Sequence, residues 1–249
     1  MRVETNDALV QRMKRLAQYL FFGSFGILIV WFFISSQWSL SAEAAQNPFL
    51  SLVLPSLMLP AAFIFSMVSV RFTNLWVRQP RPEEVIRQNL KGLSSRSVLY
   101  NYYHFPARHV LITPRGIYAI VTRFQDGRFG VTGNKWRSYK SGISRFLSLF
   151  RFDALGNPTE DAKAAAAHLQ KRLEPIAPGV TVFPVIIFVD PCTHIEVEDT
   201  EVPIVFTTGD VKYLLKDFLR DEWQAHEGMK KDVLTTEQIR EFEVATLHR

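Results

Sequence analysis

The sequence predicts two transmembrane helices followed by a mixed α/β (α+β) domain, in which a mixed sheet is flanked by helices. Three observations predict this fold class. Uncharged apolar stretches fill much of the N-terminal third, segments rich in β-branched and aromatic residues follow, and an alanine-rich helical pattern then alternates with further strand patterns. The resulting order of helix, β-meander, helix, strand, strand, helix and helix is typical of a sheet covered by helical layers.

Composition narrows the classes of protein that the chain can represent. Its 249 residues suit one ordinary domain plus a smaller part, and its one cysteine, Cys192, excludes an internal disulfide framework. The net charge of +5 is mildly basic and unevenly spread. The sequence contains no glycine-rich phosphate loop and no Gly-x-Ser-x-Gly elbow, which argues against P-loop nucleotide hydrolases and α/β-hydrolases.

Two long stretches of the N-terminal third carry no charged residue. Neither residues 16–42 nor residues 44–70 contain Asp, Glu, Lys or Arg, and a helix needs about 20 apolar residues to cross the hydrocarbon core of a bilayer. We therefore predict transmembrane helices at roughly residues 19–38 and 49–72, with prolines kinking the second. The alternatives are a helical hairpin buried in a soluble core and a cleaved signal peptide at the first stretch.

Cations that flank these stretches predict their orientation. Before the first stretch lie Arg2, Arg12, Lys14 and Arg15, and after the second lie Arg71, Arg78 and Arg81. No Lys or Arg lies between the helices, so we predict a multi-pass protein of the cell membrane with both termini in the cytoplasm. The predicted division is a cytoplasmic segment at 1–18, two transmembrane helices at 19–72, a linker at 73–82 and a cytoplasmic domain at 83–249.

The predicted domain begins with a short amphipathic helix and a β-meander. Residues 83–93 fit a helix whose start is favoured by Pro82. Strands are predicted from β-branched and aromatic enrichment, with Pro114-Arg115-Gly116 and Gly133-Asn134 as turns. These strands are 98–105, 108–113, 117–124, 128–132 and 135–139.

The second half of the domain changes to a helical pattern. Asn157 suits an N-cap and is followed by Pro158 and then Glu160, so a helix is predicted from there to Leu173. Residues 180–189 predict a buried strand, in which Pro184 favours an edge position or a bulge because it lacks a backbone N–H. The remaining predicted elements are a strand at 203–207 and helices at 210–223 and 236–247.

The order and spacing of these segments resemble the nuclease-related domain, NERD, a family counted among the restriction-endonuclease-like folds. The resemblance covers residues 82–249 and rests on an ordered set of short motifs. These are Glu83-Glu84-Val85, the strand pair from His109 to Ile120, Gly127 with Trp136, Asn157-Pro158, the buried strand that ends in Phe188, and Leu234 to Ile239. The resemblance implies a restriction-endonuclease-like mixed sheet behind the membrane helices.

The resemblance also implies a catalytic set, whose acids are missing here. In the family pattern an Asp at the start of a hairpin and Glu-x-Lys on its second strand would bind Mg²⁺ and assist an attacking water. Arg108 stands at the Asp position and Val121 at the Glu position. Arg123 stands at the Lys position, and Asp161 stands where the family often has Gln. Two arginines oppose a divalent cation, so we predict a catalytically inactive domain without metal or cofactor.

Two alternatives to an inactive binding domain remain open. The first is an active Mg²⁺-dependent nuclease that recruits non-standard acids, for which the sequence offers Asp126, Asp153, Glu160 and Asp161. The second is a purely structural membrane protein, which would show no salt-dependent binding to nucleic acid or lipid.

Cations are concentrated between Arg108 and Arg151, where nine Lys or Arg residues accompany a single acid, Asp126. Aromatic residues lie among them, which suits nucleic-acid binding, while anionic lipid and a merely solvated sheet edge are further interpretations. The leading hypothesis is therefore a membrane-anchored binding module for nucleic acid, anionic lipid or an unidentified protein partner. The candidate binding residues are Arg115, Arg123, Arg128, Lys135, Arg137, Lys140 and Arg145.

The cysteine and three of the histidines also invite a functional interpretation. Cys192 and His194 lack the paired spacing of a zinc site, so residues 191–199 are interpreted as a solvated acidic loop. His104 and His109 bracket a predicted strand start and are interpreted as packed or surface histidines rather than as bases.

Overall fold

A computed structural model describes residues 1–39, 47, 49, 53–139, 155–207, 213–225 and 234–247. The chain forms two compact units. The described residues of 8–79 belong to one unit. The described residues of 1–7, of 80–139 and from 155 onward belong to the other.

Two long apolar helices account for most of the described residues of 8–79. They are α1 (Asp7–Ser39), which begins one residue earlier, and α2 (Leu54–Trp76). Within them, Asp7–Gln37 and Ser56–Trp76 are long and apolar enough to cross a membrane. Burial covers 0% of the apolar window in the first and 12% of that in the second. A core helix of a soluble protein would bury most of such a window. The proline at position 60 lies inside α2.

The other unit is built on two sheets. The larger sheet has the strand order β1 (Arg2–Thr5), β2 (Val98–His104), β3 (Ala107–Thr113), β4 (Gly116–Arg123), β7 (Val182–Phe188) and β9 (Ile204–Phe206). The smaller sheet has the order β6 (Lys135–Ser138), β5 (Gly127–Thr132) and β8 (Thr193–Asp199). Parallel pairs β1–β2, β4–β7, β7–β9 and β5–β8 combine with antiparallel hairpins. Both sheets are therefore mixed.

Helices cover both faces of the larger sheet. They are α3 (Pro82–Asn89), α4 (Pro158–Leu173), α5 (Leu215–Ala225) and α6 (Thr236–Leu247). One apolar layer joins the sheet to α4 and α6, whose Ala162, Leu169 and Phe242 are buried. The other joins it to α3 and α5 through side chains such as Ile86 and Phe218. The predicted fold class, a mixed sheet flanked by helices, is confirmed.

The sequence did not predict two of the strands, β1 and β8. The strand β1 precedes the first apolar helix and pairs in parallel with β2. The interpretation of residues 191–199 as a loop is wrong, since Thr193–Asp199 form β8 and pair with β5. Most of its side chains are exposed, and Cys192 beside it is an exposed free thiol. The solvated character was visible in the sequence, but the pairing partner was not.

Pro184 lies neither in an edge strand nor in a bulge, the two positions that the sequence predicts. The strand β7 pairs with both β4 and β9, and its register with β4 is unbroken at Pro184. The N–H of Ile186 donates to the carbonyl oxygen of Pro203 at 3.0 Å. Residues two apart in a strand direct their N–H groups the same way, so the missing N–H of Pro184 faces the same side. The pairing with β9 starts only at Ile186, and the proline therefore removes no ladder hydrogen bond.

Candidate functional site

Three residues identified by the resemblance lie on one face of the β3–β4 hairpin. His109 of β3 pairs with Ile120 of β4, so the antiparallel register brings Arg108 beside Val121. Arg123 follows Val121 by two residues and points to the same face of the strand. Helix α4 packs on this face. The aligned positions therefore converge where β4 ends and α4 begins.

The guanidinium of Arg123 forms an ion pair with the carboxylate of Asp161, in the first turn of α4. The Arg123 side chain is 15% exposed, whereas that of Asp161 is 61% exposed. Nη1 of Arg123 also donates to the Thr122 carbonyl at 3.2 Å, and its Nε has no partner among the described residues. Burial lowers the pKa of Arg123, Asp161 opposes this effect and Arg108 adds to it. A guanidinium nevertheless keeps its proton at neutral pH.

Capping of α4 sets the position of Asp161. The side chain of Asn157 accepts a hydrogen bond from the Glu160 N–H at 3.3 Å and so closes the N-terminus of the helix. Trp136 of β6 donates from Nε1 to Thr159 Oγ1 at 2.8 Å, which fastens the same turn to the smaller sheet. The helix dipole favours a carboxylate in this turn. Asp161 therefore reaches Arg123 from a helix start that is held by two independent hydrogen bonds.

The described residues do not fit Mg²⁺. No three His, Cys, Asp or Glu side chains among them converge into a group that would hold a metal ion. Mg²⁺ requires a near-octahedral shell of oxygen ligands, whereas the carboxylate of Asp161 is engaged by Arg123. Asp126 and Glu160 are exposed, and Asp153 lies outside the described residues. Among the described residues, the positions aligned with the family's catalytic set therefore hold a guanidinium–carboxylate pair.

A buried polar cluster that the sequence analysis missed lies on the face covered by α3. Glu83 is 7% exposed, and its carboxylate accepts a hydrogen bond from the Tyr102 hydroxyl at 2.9 Å. Tyr102 has a φ of 67°, an uncommon value for a residue other than glycine. His109 is fully buried, its Nδ1 lies 2.8 Å from Asn101 Oδ1, and burial lowers its pKa to about 3. One sequence signal could have predicted the burial of Glu83. It precedes the buried Ile86 by three residues, so both side chains lie on the same side of the helix.

His109 and His104 are both packed side chains. Neither is accessible to a substrate, because their exposed fractions are 0% and 1%. Burial, followed by the charge of Arg172, lowers the pKa of His104 to about 4. Both imidazoles are therefore neutral at pH 7 and belong to the core.

The predicted cationic residues that the structure describes do not all lie on one surface. Arg115 lies in the β3–β4 turn, where its guanidinium carbon sits 5.3 Å from the ring centroid of Trp223. Arg128 of β5 pairs with Glu196 of β8 at 2.9 Å. Arg123 is paired beneath α4, as described above. A strand that the sequence did not predict therefore neutralises part of the cationic stretch.

Lys135 and Arg137 differ from these cations. Both are exposed on β6, and within the described part of the chain neither takes part in an ion pair. Lys140 and Arg145 lie outside the described residues. Among the described candidates, positive charge without a counter-charge is thus concentrated on β6.

Comparison with known proteins identifies one segment of the chain. Residues 81–189 match the family model described as the nuclease-related domain, NERD. The matched segment runs from the start of α3 to the end of β7, so it includes the hairpin that carries Arg108, Val121 and Arg123. The mixed sheet flanked by helices is consistent with a nuclease-like fold. No curated protein and no solved structure matches the chain significantly.

Proposed function

We propose that this chain, whose residues 81–189 match the nuclease-related domain, is a membrane-anchored protein whose domain binds nucleic acid without cleaving it. The observation that carries this proposal is the ion pair between Arg123 and Asp161, at the position where the family pattern would hold a metal ion. Arg108 and Val121 add no carboxylate there. A guanidinium contacts phosphate oxygens well, but it does not generate a nucleophilic hydroxide as a metal ion does.

Membrane anchoring is supported by the two exposed apolar helices and by the sheet that joins the chain on either side of them. The strand β1 precedes α1 and pairs with β2, which follows α2. A sheet cannot be assembled across the hydrocarbon core, so the chain must return to the side from which it started. This argument favours two crossings over one and opposes removal of the first apolar stretch as a signal peptide. Together with the flanking Lys and Arg residues, it supports cytoplasmic termini in the cell membrane.

A cleavage assay tests the inactive site. The full chain in non-ionic detergent is incubated with supercoiled plasmid and with a single-stranded oligonucleotide, in Mg²⁺, in Mn²⁺ and in EDTA. We expect no difference in cleavage between the metal and EDTA samples. Metal-dependent cleavage that the isosteric Asp161→Asn variant abolishes would instead establish an active nuclease using a non-standard acid. Isothermal titration with Mg²⁺ provides a second readout, for which we expect no specific heat of binding.

The single cysteine tests the topology. Cys192 is exposed on the domain, so a membrane-impermeant thiol reagent should label it in inverted vesicles and leave it unlabelled in intact spheroplasts. The reverse pattern is expected for Cys192→Ser combined with Gln46→Cys, which moves the thiol to the short turn near residues 39–48 that the sequence predicts to lie outside the membrane. Labelling of Cys192 from outside would refute the proposed orientation.

A further inference from the structure

We propose that the outer face of the smaller sheet binds single-stranded nucleic acid, with Tyr139 stacking on a base and Lys135 and Arg137 contacting phosphates. This inference rests on the proposed function and names the surface that performs it. The surface is separate from the Arg123–Asp161 pair, whose charges already satisfy each other.

The two cations project from an anchored strand. Lys135 and Arg137 alternate with Trp136 along β6, so they point to the opposite face from the indole. Trp136 packs inward on Phe188 with their ring centroids 5.9 Å apart, and it donates to Thr159 at 2.8 Å. Both cations are therefore presented outward at a fixed spacing. Strand geometry of about 3.4 Å per residue places their Cα atoms about 7 Å apart, close to the separation of successive phosphates in an extended single strand.

Tyr139 supplies an aromatic platform beside these cations. Its N–H donates to the Arg128 carbonyl at 3.0 Å, which continues the β5–β6 ladder one residue past β6. The ring lies over Gly130, because a Cβ on this glycine would sit 2.6 Å from the Tyr139 hydroxyl oxygen. The side chain is nevertheless 55% exposed. Such a ring stacks on any base, because every base has a π-face.

The two edges of this sheet carry opposite charges on this face. Lys135 and Arg137 line β6, whereas Glu196 and Glu198 line β8 and accept hydrogen bonds from β5 side chains at 2.9 and 2.7 Å. A single strand can follow the cationic edge alone. A flat bilayer surface would meet both edges, and the acids would repel anionic lipids. Charge complementarity together with the aromatic ring therefore favours single-stranded nucleic acid over a membrane surface.

The test uses the full chain reconstituted in phosphatidylcholine nanodiscs. Binding of a fluorescent oligo-dT and of a duplex of equal length is followed by fluorescence anisotropy at several salt concentrations. We expect the single strand to bind more tightly than the duplex. Tyr139→Leu should weaken single-strand binding at least about fivefold, because it removes one stacked base, whereas Tyr139→Phe should preserve it. The double variant Lys135→Gln/Arg137→Gln should lower the slope of log K against log salt by about 1.4.

Acids on the opposite edge provide a gain-of-binding control. The double variant Glu196→Gln/Glu198→Gln removes repulsion and should tighten single-strand binding, an outcome that misfolding cannot produce. Wild-type binding that all these substitutions leave unchanged would overturn the inference while the proposed function stands. Absence of wild-type binding to either nucleic acid at low salt would overturn both. Duplex binding at least as tight as single-strand binding, or binding to phosphatidylserine vesicles alone, would also overturn the inference.

Discussion

Removing the carboxylate of Asp161 would leave the guanidinium of Arg123 without its counter-charge. Little water can replace the carboxylate, since the Arg123 side chain is 15% exposed. Breaking a fully buried ion pair costs about 3–5 kcal/mol. Asp161 itself is 61% exposed, so the pair is partly screened. We therefore expect Asp161→Ala to lower the free energy of unfolding by about 1–3 kcal/mol.

Glu160→Ala is the matched control, because Glu160 is an exposed acid in the same helical turn. It removes a similar interaction with the helix dipole, about 0.3–1 kcal/mol, and leaves Arg123 paired. Adding Arg123→Met to Asp161→Ala should recover most of the loss, since an apolar chain replaces the unpaired charge. Urea unfolding of the full chain in non-ionic detergent, followed by tryptophan fluorescence, measures each value. The reasoning is refuted if Asp161→Ala costs no more than Glu160→Ala, or if Arg123→Met gives no recovery.

Three further outcomes are expected. His104 packs with its ring centroid 5.1 Å from that of Phe242, and burial lowers its pKa to about 4. The unfolded state therefore binds the proton first, and the stability contributed by His104 falls as the pH drops from about 6.5 towards 4, by up to about 1.4 kcal/mol per pH unit for this one side chain. His104→Phe should reduce the slope of the urea midpoint against pH in this range by about half, because the buried His109, whose pKa is lowered to about 3, still contributes its own share. An unchanged slope would contradict the assignment. Gly130→Ala should change stability by less than about 1 kcal/mol, because the end of the Tyr139 side chain can move. The same substitution should weaken single-strand binding in the anisotropy assay, because it displaces the ring. Unchanged binding would show that the ring position is irrelevant. Asn157→Ala should cost about 1 kcal/mol in the unfolding assay by removing the cap of α4, whereas Asn157→Asp should retain the cap.

Residues close together in the sequence were sufficient to predict the helix start and the hairpin that form the site. Asn157 predicts the start of α4, and the Pro-Arg-Gly turn defines the β3–β4 hairpin, so the sequence also predicts that Arg108, Val121 and Arg123 lie close together. The pairing of Arg123 with Asp161 spans 38 residues, and no local pattern encodes it. Glu83 forms a local ion pair with Arg81, but the burial of its carboxylate was missed for a related reason, since its other partner, Tyr102, reaches it only when β2 packs beside α3.

Pairing between distant segments explains the two strands that the sequence did not predict. The side chains of Thr5 and Asn101 meet across 96 residues, where β1 joins β2. Thr193–Asp199 look like solvated polar chain because most of their side chains remain exposed after pairing with β5. A strand with little hydrophobic alternation has a weak sequence signal, and its existence depends on backbone hydrogen bonds to a partner.

By itself, the sequence determined which segments are apolar, where most helices and strands begin, and that the positions expected to bind a metal carry arginine and valine. Each of these depends on residue type and near neighbours. Only the tertiary structure decided which charges neutralise one another, pairing Arg123 with Asp161 and Arg128 with Glu196 while Lys135 and Arg137 remain exposed on β6. The reason is that electrostatic energy depends on distance in space and on burial, and neither quantity follows from separation along the chain.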